Sequence, residues 1–260
     1  MSVLWLASYP KSGNTYLRLL LHAYRHGPPE SSAALEAAFP DLHKLLFARR
    51  RLDPAGPVQE GGHVDGEPWL VKTHFRWSPR HPYAARTVGF VYVLRHPRDV
   101  LLSNARFFGL EGREALEAFA QEFAHHLGVP RWRRMGMGTW PGHVASWLGA
   151  SGRWPHLFLR FEELRRDPAA VLEQVLRFLG WPVEAGRLER AVAGASLEAA
   201  RALERRDREQ GVLGAFGTPG GGPFVGEGRS RPTLAEAAGP EAEALFRERF
   251  GELMRLFGYA

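Results

Sequence analysis

The chain contains no cysteine and very little lysine. The first absence excludes disulfides and thiolate-bound metal sites. Of the 34 lysine and arginine residues, only three are lysine, at Lys11, Lys44 and Lys72. No apolar run approaches the roughly 20 residues that a membrane-spanning helix needs, and no basic leader precedes the first apolar stretch. We therefore expect a cytoplasmic protein with neither a signal peptide nor a membrane anchor.

The remaining composition is that of an ordinary globular protein with an excess of positive charge. The 260 residues are 45% hydrophobic and 24% charged, which fits one domain over residues 1–260 with a sizeable core. The formal net charge is +6 and the sequence pI is about 10.0. This balance suits an anionic small molecule, but it also suits nucleic acid, so composition alone leaves both open.

The stretch 9–15, Tyr-Pro-Lys-Ser-Gly-Asn-Thr, lies between an apolar run and a helical repeat. A strand, a small-residue turn and a helix beginning near Asn14 would gather backbone N–H groups around an anion. Lys11 adds a full positive charge. The stretch is not the usual nucleotide-binding loop, because Lys11 precedes Gly13 and no Gly-Lys-Ser/Thr follows. An ordinary capped turn between strand and helix is the alternative for this stretch taken alone.

Short apolar runs with few charges predict further strands at 69–71, 89–94 and 157–161, in addition to a first strand at 3–7. Helical repeats alternate with these runs. Strands that alternate with helices indicate an α/β protein with a central parallel sheet flanked by helices.

Polar residues follow two of these strands, where ligands of parallel sheets bind. His74 ends the run Lys72-Thr73-His74 and is a candidate general base, with an ordinary pKa near 6.5. Arg95 follows the strongest strand, and Ser103 lies about two helical turns further on, which suits a second phosphate. A surface histidine and a structural ion pair of Arg95 are the alternatives.

Four other segments carry weaker signals. Residues 130–138, which include the run Arg-Trp-Arg-Arg at 131–134, are expected in a mobile loop, and 184–208 in helix. The glycine-rich segment 209–233 is expected to be a loop that closes over a ligand. His143 is expected to pack or cap a helix rather than to act as an acid or base.

Taken in order, the segments 9–15, 72–74, 92–103 and 159–168 resemble the sulfotransferase family, in its cytosolic type. The resemblance covers nearly the whole chain. It implies a single-domain, three-layer, P-loop-like fold. It also implies transfer of a sulfuryl group from 3′-phosphoadenosine 5′-phosphosulfate (PAPS) to a hydroxyl or amine of a small acceptor. The product nucleotide would be 3′-phosphoadenosine 5′-phosphate (PAP), and no metal is expected.

The resemblance also implies roles for individual residues. His74 would be the general base, Lys11 would neutralise the leaving phosphate, and Lys72 would orient donor and acceptor. Donor binding is carried over to residues from several parts of the chain: Lys11, Ser12, Gly13, Asn14, Thr15, Tyr16, Arg95, Ser103, Phe161, Ser196, Gly228, Arg229 and Arg231. The family's C-terminal dimer motif is not visible, so the protein is expected to be a monomer or a homodimer.

The chain departs from the family pattern at several of these positions. Asn14 stands where the family has a second Thr, Tyr16 where it usually has Trp, and Phe161 where it has Tyr. The family's Arg-Lys-Gly donor element is reduced to Gly226-Glu227-Gly228, followed by Arg229 and Arg231. We expect one of these two arginines to supply the missing charge to the 3′-phosphate.

Two other functions remain open at this stage. A P-loop kinase-like phosphoryl transferase would need a metal-binding carboxylate after an apolar strand, and Asp99 is the only candidate. A non-enzymatic nucleic-acid binder would need interleaved basic and aromatic residues on one face, and only 131–134 supplies them.

Overall fold

The fold is built on a four-stranded parallel sheet. The computed structural model describes residues 1–52, 66–212, 216–218, 222–226 and 232–259. The strands are β1 (Val3–Ser8), β2 (Trp69–Thr73), β3 (Thr87–Leu94) and β4 (His156–Arg160), in the spatial order β2-β1-β3-β4. Every strand pair is parallel, and Leu6 aligns with Lys72 on one side and with Val91 on the other.

The inner strands β1 and β3 are mostly apolar because both faces of the sheet are covered. All residues of β1 are buried. Its odd-numbered residues, such as Trp5, pack in one core, while its even-numbered residues, such as Leu6, pack in a second core. The same alternation separates Tyr92 from Val91 in β3. A strand buried on both faces reads as a continuous apolar run, which is why the sequence located these strands.

Helices fill the two layers outside the sheet. In chain order they are α1 (Asn14–His26), α2 (Ser32–Ala38), α3 (Leu42–Phe47), α4 (Pro97–Phe108), α5 (Arg113–Ala124), α6 (Pro130–Arg134), α7 (Trp140–Ala150), α8 (Phe161–Arg166), α9 (Pro168–Leu179), α10 (Ala185–Gly194), α11 (Leu197–Glu209), α12 (Leu234–Ala238) and α13 (Pro240–Leu256). Buried residues of α1, α9, α10 and α11 share one core with the sheet. Those of α4, α5, α7, α12 and α13 share the other.

The expected fold class, a central parallel sheet flanked by helices, is confirmed. Four details differ from the sequence-based expectations. Of the residues 130–138 expected in a loop, 130–134 form α6, where Trp132 is buried against the core, while 135–138 lie outside the helices. The predicted helix 184–208 is two helices with a break at Ala195 and Ser196. Phe161 begins α8 rather than ending β4. The segment after α1 contains α2 as well as the expected α3.

Among the described residues, no helix has the length and apolarity required to cross a bilayer. The single domain over 1–260 stays a prediction. The segment 227–231, which contains Gly228, Arg229 and Arg231, lies outside the described residues, so the expectation about these two arginines also stays a prediction.

Candidate active site

A cavity of about 840 Å³ opens at the carboxyl ends of the strands. It is lined by the loop after β1, the end of β2, α4, α6 and the start of α8. Among the described lining residues, Asp41 is the one carboxylate. The cationic side chains that line it are Lys11, Lys44, Lys72, Arg95, Arg106, Arg131 and Arg165. The cavity is therefore suited to a ligand with several negative charges.

The loop between β1 and α1 has the geometry of an anion cradle. Gly13 has φ 103°, and Lys11 has φ 70°, so two residues within three positions adopt the left-handed region. Within the described part of the chain, no acceptor takes the backbone N–H of Gly13, Asn14 or Thr15. These N–H groups and the positive end of α1 together provide a site for an anion.

A hydrogen bond of Asn14 and the ring of Phe161 packed against Gly13 fix this loop. The Asn14 side-chain amide donates to the Leu6 carbonyl at 2.9 Å, which ties the loop to β1. Ser12 is buried under the loop and does not line the cavity. A Cβ atom at Gly13 would lie only 2.1 Å from Cδ2 of Phe161, so the ring of Phe161 fills the space that a side chain would need.

Arg95 and Ser103 reach the same cavity from β3 and α4. The Arg95 Nη1 donates to the Lys11 carbonyl at 2.9 Å, and its guanidinium lies 4.4 Å from the centre of the Phe161 ring. Ser103 is buried on the first two turns of α4. The structure thus brings both anion sites proposed from sequence into one cavity. Tyr16 completes this wall, with its ring edge-on to that of Phe161.

His74 lies where β2 ends and is held in one tautomer. Its Nδ1–H donates to the Ser8 carbonyl at 2.7 Å, so Nε2 carries the lone pair. Nε2 has no hydrogen-bond partner among the described residues. Burial, and then the nearby Lys72 ammonium, lower the pKa of His74 well below its ordinary value, so the ring is neutral at pH 7. A neutral histidine with a free Nε2 facing a cavity can accept a proton.

His143 holds the backbone of His74 in place, which is a packing role of the kind expected from the sequence. It is fully buried in α7, and its Nε2–H donates to the His74 carbonyl at 3.0 Å. The Tyr92 hydroxyl donates to Nδ1 of His143 at 2.8 Å. Burial lowers the pKa of His143 to about 3, which keeps its ring neutral. The backbone of His74 is therefore fixed by groups from β3 and α7.

Asp41 holds Lys72, and the sequence did not identify this carboxylate. The Lys72 ammonium forms an ion pair with Oδ2 of Asp41, and both side chains are largely buried. Oδ1 of Asp41 accepts from the His43 N–H at 3.0 Å and caps α3. Burial alone would raise the pKa of Asp41, but the Lys72 ammonium opposes burial and lowers it below its ordinary range. Burial lowers the pKa of Lys72, and Asp41 opposes that shift.

Lys11 contacts two aromatic rings, and the sequence did not predict that either lies beside it. Its ammonium lies 3.5 Å from the centre of the Phe224 ring and 4.8 Å from that of Phe107. Cation–π contacts of this kind hold an ammonium without neutralising it. Both rings come from distant parts of the chain, so only the tertiary fold reveals them.

Trp132 forms part of the opposite wall. Its Nε1–H donates to Oδ1 of the buried Asn104 at 3.1 Å. Ser196, by contrast, does not line the cavity. Its hydroxyl accepts from Ala199 N–H and caps α11, although its neighbours Ala195 and Leu197 do line the cavity.

Comparisons with known proteins agree on one family. The model of the sulfotransferase domain matches residues 2–212. Sulfotransferase 4A1 of Homo sapiens is 26% identical over 196 residues, which cover 72% of this chain and 63% of that protein. Flavonol 3-sulfotransferase of Flaveria bidentis is 28% identical over 214 residues, which cover 77% of this chain and 65% of that protein. The chain thus spans less than two thirds of the length of these relatives.

Solved structures show the same fold. Mouse sulfotransferase SULT7A1 complexed with PAP superposes with a TM-score of 0.65 at 18% identity, covering 98% of this chain and 84% of that one. Retinol dehydratase in complex with androsterone and inactive cofactor PAP gives a TM-score of 0.62 at 19% identity, covering 95% of this chain and 80% of that one. Because the domain model matches most of the chain, the protein belongs to the sulfotransferase family.

Proposed function

We propose that the protein transfers a sulfuryl group from PAPS to a hydroxyl or amine of a small acceptor. One observation carries this proposal. The cavity combines a histidine whose free Nε2 lies at the end of β2 with an anion cradle at the start of α1. An enzyme that moves an anionic group needs both a base for the acceptor and a site for the donor.

The residues present fit the donor. PAPS carries anionic groups on both its 5′ and 3′ positions, and the structural neighbours named above were solved with PAP. The backbone N–H groups of Gly13, Asn14 and Thr15 would hold the 5′ end. Arg95 and Ser103 would hold the 3′-phosphate. When bound, the donor supplies an activated sulfuryl group on a phosphate leaving group.

His74 would act as the general base. Its Nδ1 proton is committed to the Ser8 carbonyl, so the proton of the acceptor hydroxyl goes to Nε2. A positioned base is worth about 10²–10⁴ in rate. The depressed pKa of His74 keeps this nitrogen unprotonated at neutral pH.

The two lysines would act electrostatically. Lys11 places an ammonium beside the start of α1, where negative charge grows on the leaving phosphate. Lys72 lies two residues before His74, and its ammonium is fixed by the ion pair with Asp41. Its charge therefore lies close to the base and the acceptor. Removal of one such electrostatic contact in other enzymes costs about 3–4 kcal/mol of transition-state stabilisation.

Calorimetric binding tests the donor site. We expect PAP to bind more tightly than ADP or 5′-AMP in the absence of added metal, because only PAP has phosphates at both the 3′ and 5′ positions. Ser103→Ala should weaken PAP and leave 5′-AMP nearly unchanged. Equal affinity for the three nucleotides would contradict the proposal.

The nucleic-acid alternative loses its main support. Trp132 is buried and bonded to Asn104, so the 131–134 segment does not offer an aromatic face to bases. The kinase alternative needed a carboxylate aimed at a metal, but Asp99 lies in the first turn of α4 and pairs with Arg98. A cytoplasmic location, metal independence and the oligomeric state stay predictions.

A further inference from the structure

All three lysines of the chain line the cavity. With 34 lysine and arginine residues and only three lysines, arginine supplies the positive charge nearly everywhere else. Lys11 and Lys72 belong to the motifs described above. Lys44 belongs to neither, yet it also lines the cavity. Unlike a guanidinium, the ammonium of a lysine is a compact charge on a flexible stem.

Lys44 lies on the acceptor side of the cavity. It follows His43, whose ring stacks on Phe75 with 3.9 Å between ring centres. The Nε2–H of His43 donates to the Met135 carbonyl at 3.2 Å, which joins α3 to the end of α6. His43 thus lies beside His74, with ring centres 6.1 Å apart. The rim next to the base is therefore formed by α3 and α6.

Arg131 lies on α6, the helix that contacts His43 through the Met135 carbonyl at its end. It lines the cavity one helical turn before Met135, whose backbone N–H donates to the Arg131 carbonyl. Its guanidinium lies 5.8 Å from the Trp132 ring. No carboxylate of the described chain forms an ion pair with Arg131. We call Lys44 and Arg131 the basic rim.

The donor does not account for the basic rim. Its two anionic ends are matched by the α1 loop and by Arg95 with Ser103. Lys44 pairs with Glu36, which does not line the cavity, and Asp41 is matched by Lys72. Burial lowers the pKa of His43 to about 4, so that ring adds no charge at pH 7. The uncompensated charge at the rim is therefore that of Arg131.

One part of the cavity wall is apolar. It is formed by aliphatic, aromatic and thioether side chains from α4, α5 and the α6 region: Leu102, Phe107, Leu116, Trp132, Met135 and Met137. An acceptor that fills this space has an apolar body, and any polar group at its outer end meets the basic rim.

We propose that the acceptor is an apolar alcohol or phenol that carries a compact anionic group, such as a carboxylate, bound by Arg131 at the basic rim, where Lys44 shares its charge with Glu36. The proposal rests on the proposed function, because it assumes that His74 marks the reacting end of the acceptor. A carboxylate and a guanidinium pair with two parallel hydrogen bonds, which sets orientation as well as affinity. The hydroxyl of the acceptor would then lie at His74 and its anion at the rim.

Three matched probes test this idea by calorimetry with saturating PAP. They are 3-(4-hydroxyphenyl)propanoate, 4-ethylphenol and tyramine, which share a phenol ring and differ in the charge of the chain. We expect the propanoate to bind three- to tenfold more tightly than 4-ethylphenol, and tyramine to bind most weakly. Arg131→Gln should abolish this preference. Arg133→Gln is the control, because Arg133 lies on α6 but does not line the cavity.

Lysine labelling gives a second measurement that needs no turnover. Acetylation by acetic anhydride, followed by peptide mass spectrometry, resolves Lys11, Lys44 and Lys72 separately because the chain has no other lysine. The propanoate should protect Lys44 at least twofold, and 4-ethylphenol should not.

Three results would overturn the inference. These are a preference below twofold, a preference that persists in Arg131→Gln, or no binding of any probe by the PAP complex. Equal protection of Lys44 by both phenols would remove Lys44 from the basic rim. Failure of the proposed function gives a different result, because PAP itself would then not bind before any acceptor is added.

Discussion

Replacing Gly13 by alanine should damage both stability and the donor site. The residue has φ 103°, and placing a non-glycine residue in a left-handed conformation costs about 1–2 kcal/mol. The new Cβ would lie 2.1 Å and 2.6 Å from Cδ2 and Cε2 of Phe161. The ring must therefore shift by more than 1 Å, and overpacking of this kind costs about 1–3 kcal/mol. We expect a total loss of about 2–5 kcal/mol in the free energy of unfolding.

The position Gly180 provides a matched control. It is also left-handed, with φ 71° and ψ 19°, but no atom lies within 4 Å of a Cβ placed there. Gly180→Ala should therefore show only the backbone cost of about 1–2 kcal/mol. Urea unfolding followed by circular dichroism measures both variants. The difference between them isolates the contact with Phe161.

The double variant Gly13→Ala with Phe161→Ala tests the cause. If the clash with the ring is real, Phe161→Ala should harm the Gly13→Ala background less than it harms the wild type. PAP affinity should fall in Gly13→Ala and stay unchanged in Gly180→Ala, because only the first variant disturbs the anion cradle and the ring under Arg95. Equal destabilisation by the two alanines, with unchanged PAP binding, would refute the reasoning.

Three further predictions follow from the site. Asp41→Asn leaves the buried Lys72 ammonium without its partner and should lower the free energy of unfolding, measured in urea, by about 3–5 kcal/mol. Adding Lys72→Met should recover stability. Additive losses in the double variant would contradict the pairing. His74→Ala should lower turnover about 10²–10⁴-fold while PAP affinity changes less than twofold; a large loss of PAP binding would exclude a base role. Burial lowers the pKa of His81 to about 4 and that of His143 to about 3. Between pH 6.5 and 4 the unfolded chain therefore binds more protons than the folded chain. Each histidine should then lower the free energy of unfolding by about 1.4 kcal/mol per pH unit as the pH falls through that window, and a flat profile in urea titrations would disagree.

The sequence predicted the sheet and the positions of the motifs because these depend on local pattern. Val3 to Ala7 and Gly89 to Leu94 are continuous apolar runs, and a strand buried on both faces requires such a run. Lys72, His74 and Arg95 follow strand ends, and the carboxyl ends of parallel strands meet at one edge.

Other features depend on pairs of residues far apart in the chain. Asp41 meets Lys72 across 31 positions, and neither residue signals the other in sequence. Trp132 packs in the core, and Asn104, 28 positions away, accepts its N–H. Read locally, Arg-Trp-Arg-Arg looks exposed, so the loop predicted for 130–138 was wrong at 130–134. Only the tertiary structure shows which charged residues face the cavity and which face solvent.

The position of Asp41 also bears on how the protein avoids aggregation. β2 lies at one edge of the sheet, and unpaired strand edges can recruit strands of other molecules. Here the Lys72 N–H donates to the Pro40 carbonyl at 2.8 Å, and Asp41 forms a parallel bridge with Lys72. The short extended segment at 40–41 therefore covers the edge beside the lysine that Asp41 holds. Substitutions that release this segment would expose a strand edge to self-association as well as freeing a charge in the cavity.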